Sequence, residues 1–383
     1  MRRVMIVAGE ASGDMHGAAL VAAARELDPD LQFYGMGGER MAAQGVELRV
    51  DLEHMAIMGV TEVFSGLGKV LSTLKTLKMS LVQDRPEALV LIDYPDFNLR
   101  LAKAAHRAGV PVVYYICPQI WAWRTGRIKQ MAKWVDRRLV VFPFEPAFYQ
   151  RYGLTADFVG HPLLDRMETP RPKNQVKAEM GFDPDKRLLL LMPGSRKHLA
   201  ALLAPVILDA AVELRRKYPD LQLALARADT LPKDFLDAML HNAPEGIKIF
   251  NGASHALQNA ADAAVVASGT STVETALMLT PMVVVYRMSG LSFFLGRMLV
   301  DTEHVAMANL IAQDRIVPEL LQKDANADAI VEHVTRIFDD DDYRQNTIQG
   351  LRLVRERLGE PGASRRAAGL LLDTIAGGRV DKE

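Results

Sequence analysis

The sequence predicts an α/β chain of two Rossmann-like, parallel-sheet domains facing across a cleft. Three observations predict it. Short, wholly apolar runs alternate with helical stretches, which is the pattern of parallel strands buried on both faces. That pattern is laid down twice, beginning at Val4–Ala8 and again at Leu188–Met192. Each of these runs leads into a loop of small residues and a helix, and both helices reach the same Pro-Asp-Leu-Gln, at Pro29 and at Pro219, before the next strand.

The first domain, residues 1–165, opens with the strand Val4–Ala8 and the loop Gly9-Glu10-Ala11-Ser12-Gly13-Asp14. An alanine-rich helix over His16–Leu27 and a strand over Leu31–Tyr34 follow. Ala88–Ile92 is a further strand ending at Asp93, then a helix over Phe97–Ala108 and a strand over Val110–Ile116. The stretch His161–Lys177 contains Pro162, Pro170 and Pro172, has no periodicity, and reads as the interdomain linker. The second domain, residues 178–345, repeats the scheme. Leu188–Met192 runs into Pro193-Gly194-Ser195-Arg196, a helix over Leu199–Lys217 and a strand over Leu221–Ala226. Ala261–Ala267, the turn Ser268-Gly269-Thr270, a helix over Ser271–Leu279 and the strand Met282–Tyr286 complete it. Residues 346–383 read as a helical tail.

The gross numbers agree with this plan. A chain of 383 residues, 49% hydrophobic and 24% charged, suits two ordinary globular domains. The net charge of −1 gives no general basic field, so nucleic acid is not expected as a partner. Cys117 is the single cysteine, so neither an internal disulfide nor a thiolate zinc site is available, which fits a reducing cytoplasm. The opening apolar run is too short for a signal-peptide core, and no run reaches the roughly 18 apolar residues of a membrane span.

Ligands of open parallel sheets sit beyond the carboxyl ends of the strands, where helix N-termini present free N–H groups. Residue type sorts the loops there. Gly194, Ser195 and Arg196 place a close backbone, a hydroxyl and a guanidinium at a helix start, the chemistry that holds a diphosphate. Arg196 would neutralise charge growing on the leaving group. Ser268, Gly269 and Thr270 repeat the arrangement, with Glu274 placed to accept both hydroxyls of a ribose; Arg287, just after Tyr286, joins this substrate-binding set. Read blandly, Pro-Gly-Ser is only a turn and Glu274 only a helix-dipole carboxylate. Two such loops in one domain make the nucleotide-sugar reading the stronger.

The first domain's loop carries Glu10 and Asp14 with Ser12 and no lysine or arginine, the wrong charge for phosphate and a better match to sugar hydroxyls. Asp93, at a strand's end, is placed to take a proton from an acceptor hydroxyl, with Asp96 as the cap of the next helix. There is no G-x-G-x-x-G, Walker A or H-E-x-x-H motif. The Asp28/Asp30 and Asp183/Asp185 pairs flank prolines in helix-to-strand connections, so no metal is assigned.

Taken together, Gly9–Asp14, Met58-Gly59, Ile92-Asp93-Tyr94-Pro95-Asp96-Phe97-Asn98, Trp121-Ala122-Trp123-Arg124, Phe158-Val159-Gly160-His161, Pro193–Arg196, Ser268–Thr270 with Glu274, and Asn309-Leu310 resemble the lipid-A-disaccharide synthase family in order and spacing. The match runs from residue 4 to about 325. The resemblance implies a GT-B fold and a metal-independent, cofactor-free, inverting transfer. UDP-2,3-diacylglucosamine would be the donor and the 6-hydroxyl of 2,3-diacylglucosamine 1-phosphate the acceptor, giving a β-1',6 disaccharide 1-phosphate and UDP. In that family the residues matching Asp93 and Arg196 are needed for activity, and the asparagine matching Asn309 lies at the UDP site. The resemblance also implies a homodimer that exchanges C-terminal helices, attached to the inner face of the inner membrane of a Gram-negative bacterium. There are departures: Leu199 stands where the family often has glutamate, and Ala308 where it has proline. His16 is a secondary candidate base.

One segment could meet a lipid surface. Val63, Leu67, Val70, Leu74, Leu77 and Leu81 recur at steps of four and three, with Leu71 beside them and Lys69, Lys75 and Lys78 on the flanks. A basic amphipathic helix of this kind can lie on an anionic membrane; a helix packed on its own sheet has the same pattern. Leu291–Val300 is a second candidate.

Overall fold

The computed structural model describes residues 2–52, 63–122, 125–232, 243–252, 255–287 and 304–377, with the backbone alone over 63–67. Met58-Gly59, Trp123-Arg124 and the candidate segment 291–300 lie outside the described residues. The chain divides into two units, residues 1–165 with 360–383, and residues 166–359.

In the first unit seven strands form one parallel sheet: β1 (Arg3–Ala8), β2 (Gln32–Gly37), β3 (Glu47–Asp51), β4 (Ala88–Ile92), β5 (Val112–Tyr115), β6 (Arg137–Val140) and β7 (Asp157–Phe158). Their order is β3-β2-β1-β4-β5-β6-β7. The apolar runs are central strands because helices cover both faces. Met5, Val7, Leu89, Leu91, Val112 and Tyr114 pack against Phe97, Leu101 and Ala105 of the helix Pro95–Arg107 and Leu74, Leu77 and Leu81 of the helix Val63–Asp84.

The second unit repeats this with six parallel strands: β8 (Leu188–Met192), β9 (Gln222–Arg227), β10 (Lys248–Asn251), β11 (Ala263–Ala267), β12 (Met282–Tyr286) and β13 (Glu319–Leu321). They run β10-β9-β8-β11-β12-β13. In both sheets the order reverses beside the first strand, at β1/β4 and at β8/β11, and such a switch point opens a crevice at the carboxyl ends.

Two boundaries differ from the sequence reading. The linker is not a loose tether. Pro162–Asp165 forms a 3₁₀ turn in the first unit, whereas the helix Lys173–Glu179 is fastened to the second. Arg171 N donates to Asn259 Oδ1 at 2.7 Å, and the buried Lys177 ammonium pairs with Asp262 at 2.7 Å. The tail drawn from residue 346 also divides. Asp341–Arg357 is one helix of the second unit, and Ala363–Gly377 packs on Ala11–Leu27 in the first.

Asp165 holds that last helix: its carboxylate accepts from the N–H groups of Gly362, Ala363 and Ser364 at 2.6, 3.1 and 3.1 Å. An N-terminal cap of this kind contributes roughly 1–2 kcal/mol. Asp165→Ala is expected to lower the calorimetric melting temperature of the first unit by a few degrees, about 2–4 °C per kcal/mol for a unit of this size. An unchanged melt would mean the cap contributes nothing.

Candidate functional site

At the first switch point, β1 and β4 are paired through Ala8 and Ile92, so the loops that follow them emerge side by side. Gly9 is required there, because a Cβ would stand 2.2 Å from the ring of Tyr94. Asp93 and Tyr94 both adopt left-handed backbone, with φ of 44° and 48°. Such residues cost on the order of 1–3 kcal/mol each and persist only where their surroundings hold them. Burial pushes the Asp93 carboxyl above the usual carboxylate range, and the charge of Glu10 adds to the shift. A half-buried acid with a raised pKa at a sheet's ligand rim is suited to accept a proton.

Glu10 and Ser12 are exposed at the start of the helix Ala11–Leu27, and His16 is half-buried one turn on. His161 is buried against the ring of Phe142. Burial, and then the charge of His16, lowers its pKa to about 3. Its Nδ1 accepts from Leu163 N at 3.2 Å, so the imidazole is neutral with its proton on Nε2.

The Asp14 carboxylate accepts from Gly38 N at 2.7 Å and from Arg40 N and Met41 N at 3.1 Å, anchoring the start of the helix Glu39–Ala43. It is buried, and these bonds hold the loop in shape. Asp96 is corrected. It stands in the first turn, after an N-cap that is Tyr94, and its carboxylate pairs with the buried Arg127.

Three side chains near this rim escaped the sequence reading. Asn98 and Tyr114 both donate to the Asp93 carbonyl, at 2.7 and 2.6 Å. Glu145 is buried and accepts from the Trp121 indole at 3.1 Å and from Val141 N and Phe142 N. Burial raises its pKa to about 7 against the opposing pull of those three hydrogen bonds. In sequence Glu145 is indistinguishable from a helix-dipole glutamate; its only signal is its place after Phe142-Pro143-Phe144.

In the second unit, Gly194 has φ 105°, a left-handed backbone open to glycine, and a Cβ there would stand 3.3 Å from Ala267 Cβ. The Pro-Gly-Ser-Arg loop thus lies against the end of β11, next to Ser268. Arg196 is the N-cap of the helix Lys197–Lys217, and no acid occupies its first turn. Ser195, Arg196, Lys197 and His198 are all exposed. Cations at the positive end of a helix dipole are unfavourable unless an anion joins them. Thr230 Oγ1 steadies the loop by donating to Ser195 O at 2.7 Å.

Gly269 and Thr270 open the helix Thr270–Leu277, with Glu274 half-buried on it, and Ser268 Oγ donates to Val305 O at 3.3 Å. Arg287 sits at the end of β12 and donates to Gln322 O at 3.3 Å. Asn309 anchors a loop. Its Nδ2 donates to Val317 O and Glu319 Oε1, and its Oδ1 accepts from Ile316 N and Val317 N. Those four bonds fill the capacity of a fully buried amide.

The amphipathic helix Val63–Asp84 shows two faces. Val70 and Leu74 pack into the core with Leu77 and Leu81, so the described part of the four-three stripe faces the sheet. Leu71 stays outside, with Met79 and Val82: the three are 48%, 48% and 62% exposed. They line a shallow depression of about 460 Å³ with Lys75 and Lys78. The side chains of Val63 and Leu67 lie outside the described residues.

Two parallel sheets of Rossmann order, each reversing beside its first strand, define the GT-B class of fold. Solved structures share the fold. MurG from Acinetobacter baumannii matches with a TM-score of 0.62 and 14% identity, over 97% of this chain and 100% of that one. UDP-GlcNAc 2-epimerase from Neisseria meningitidis, bound to UDP-GlcNAc, matches with a TM-score of 0.59 and 11% identity, over 98% and 100%. The chain belongs to the lipid-A-disaccharide synthetase family, whose model matches residues 4–371. The lipid-A-disaccharide synthase of Geobacter sulfurreducens (strain ATCC 51573 / DSM 12127 / PCA) is 45% identical over 97% of both chains, and that of Myxococcus xanthus (strain DK1622) is 42% identical over 99% of both. The protein is thus a glycosyltransferase of lipid A biosynthesis.

Proposed function

We propose that the chain transfers 2,3-diacylglucosamine from UDP to the 6-hydroxyl of 2,3-diacylglucosamine 1-phosphate, with inversion, giving the β-1',6-linked disaccharide 1-phosphate and UDP. The observation that carries this reading beyond family membership is Asp93, a carboxylate with a raised pKa held on a strained turn at the ligand rim of the first unit. Asp93 takes the proton of the acceptor 6-hydroxyl as its oxygen bonds to the anomeric carbon. The bond from that carbon to the diphosphate oxygen breaks on the opposite face. One base suffices for a single displacement. Arg196, with the open amides at the start of Lys197–Lys217, takes up the charge that grows on the diphosphate. Ser268, Thr270 and Glu274 hold the nucleotide, while Glu10 and Ser12 meet sugar hydroxyls.

The acceptor dependence of UDP release tests this. With both acylated sugars in detergent, UDP and disaccharide are expected in equal amounts, and with the donor alone almost no UDP. UDP release that ignores the acceptor, or an epimerised donor sugar, would contradict the proposal.

The acylated substrates place the enzyme at a lipid surface. Among the described residues no helix is long and apolar enough to cross a membrane. We assign attachment to the outer face of Val63–Asp84, where Leu71, Met79 and Val82 stand beside Lys75 and Lys78. Apolar burial at roughly 25 cal/mol per Å² and about 1 kcal/mol per surface lysine act together there. Leu71→Ser/Met79→Ser/Val82→Ser is expected to lower partition onto anionic vesicles by about tenfold or more at unchanged melting temperature. Unchanged partition in a flotation assay would contradict the assignment.

A further inference from the structure

The turn that carries Asp93 adopts a backbone that its own residues disfavour. Asp93 and Tyr94 are consecutive, left-handed and not glycine. Tyr94 also precedes Pro95, whose ring ordinarily pushes the residue before it to extended backbone. Contacts from outside the turn must hold it. Asn98, on the helix Pro95–Arg107, reaches back and donates both amide hydrogens, to Ile92 O at 3.1 Å and to Asp93 O at 2.7 Å. Tyr114, on the neighbouring strand β5, donates its phenol to the same Asp93 carbonyl at 2.6 Å.

Those two carbonyls belong to the peptide planes on either side of the Asp93 Cα. Each plane is rigid, so fixing both fixes φ and ψ of Asp93 and with them the direction of its Cα–Cβ bond. The arrangement is costly to keep. Asn98 and Tyr114 are fully buried among apolar neighbours, and Asn98 Oδ1 has no hydrogen-bond partner. A buried polar atom left unpaired is unfavourable, and a leucine of the same branching would avoid it. What the asparagine supplies in exchange is its pair of donors.

We propose that Asn98 and Tyr114 are positioning residues, which act through the main-chain carbonyls of Ile92 and Asp93 to aim the Asp93 carboxylate at the acceptor hydroxyl. Neither touches substrate. The inference rests on Asp93 being the base of the transfer. Without the braces the turn relaxes toward extended backbone and the carboxylate swings away from its half-buried place near Glu10.

Tyr114→Phe removes only the donor, Asn98→Leu keeps the branching while removing both donors and Oδ1, and Asn98→Asp keeps the shape while losing both donors. Misplacement of a reacting group by about 1 Å costs on the order of a hundredfold in rate, so kcat is expected to fall about 30–100-fold in either Asn98 variant and about 3–10-fold in Tyr114→Phe. KM for the donor and the affinity for UDP stay within about twofold, because the nucleotide loops are untouched. The acid limb of the pH profile of kcat/KM moves to lower pH, as the carboxyl gains water; Glu10, Tyr94, Asp96, Cys117 and Arg127, the other ionisable groups around the turn, are unchanged. A merely structural loss would lower the melting temperature and leave that limb in place.

Asp93→Asn is measured alongside. If it keeps turnover, the base assignment fails and this inference with it. If it is inactive while Tyr114→Phe and Asn98→Leu retain wild-type kcat and acid limb, only the positioning role is overturned. Should Asn98→Leu fail to fold, Tyr114→Phe decides, since it removes a single oxygen.

Discussion

Asp93→Asn is expected to lower kcat by about three orders of magnitude, the middle of the range for losing a general base, while UDP affinity changes less than about twofold. The variant is also expected to melt at the same temperature as the parent or higher. Burial and the charge of Glu10 raise the Asp93 pKa in the folded protein. An acid with a raised folded pKa binds its proton more tightly when folded, so its contribution to stability declines as pH rises from the unfolded pKa through the folded one. Above the unfolded pKa the folded carboxyl is therefore a cost that asparagine removes. The same shift sets the sign of the rate profile: kcat/KM falls as pH drops through the raised pKa and Asp93 takes up a proton. Isothermal titration with UDP, a thermal melt and the rate profile check all three. Loss of UDP binding would make Asp93 a nucleotide ligand instead.

Arg196→Ala is expected to lower kcat by about a hundredfold to a thousandfold, the effect of removing one group that stabilises developing charge. Arg196→Lys should recover part of that, as a point charge without the guanidinium fork. Unlike Asp93→Asn, the change is expected to weaken UDP binding. It should leave the empty protein slightly more stable, by about 0.3–1 kcal/mol, because a cation leaves the positive end of the helix Lys197–Lys217. A variant that turns over normally would place the diphosphate elsewhere.

The parts of this picture legible in sequence are those written in local pattern. Val4–Ala8, Ala88–Ile92, Leu188–Met192 and Met282–Tyr286 announce buried parallel strands because no polar residue interrupts them. β3, β7, β10 and β13 were not legible, since edge strands are short and partly exposed and lose the apolar signature. The loops at both switch points could be picked out from residue type, yet what each side chain does there could not. Asp14 and Asn309 resemble ligands in a motif, but their partners lie 24 to 27 and 7 to 10 residues away, and only folding shows which groups of the chain they bond. The helix Val63–Asp84 shows the same limit. Its regular stripe was visible, but which stripe meets the sheet is decided by the sheet. Leu74 went inward, and Leu71 with Met79 and Val82 was left outside.

Nuclear magnetic resonance of the product formed from UDP-2,3-diacylglucosamine and 2,3-diacylglucosamine 1-phosphate tests the proposed reaction most directly, because one spectrum reports transfer, linkage position and anomeric configuration. The proposal predicts a single disaccharide 1-phosphate joined through the acceptor 6-oxygen in the β configuration. An α-linked product, a linkage through another hydroxyl, or no disaccharide at all would contradict it.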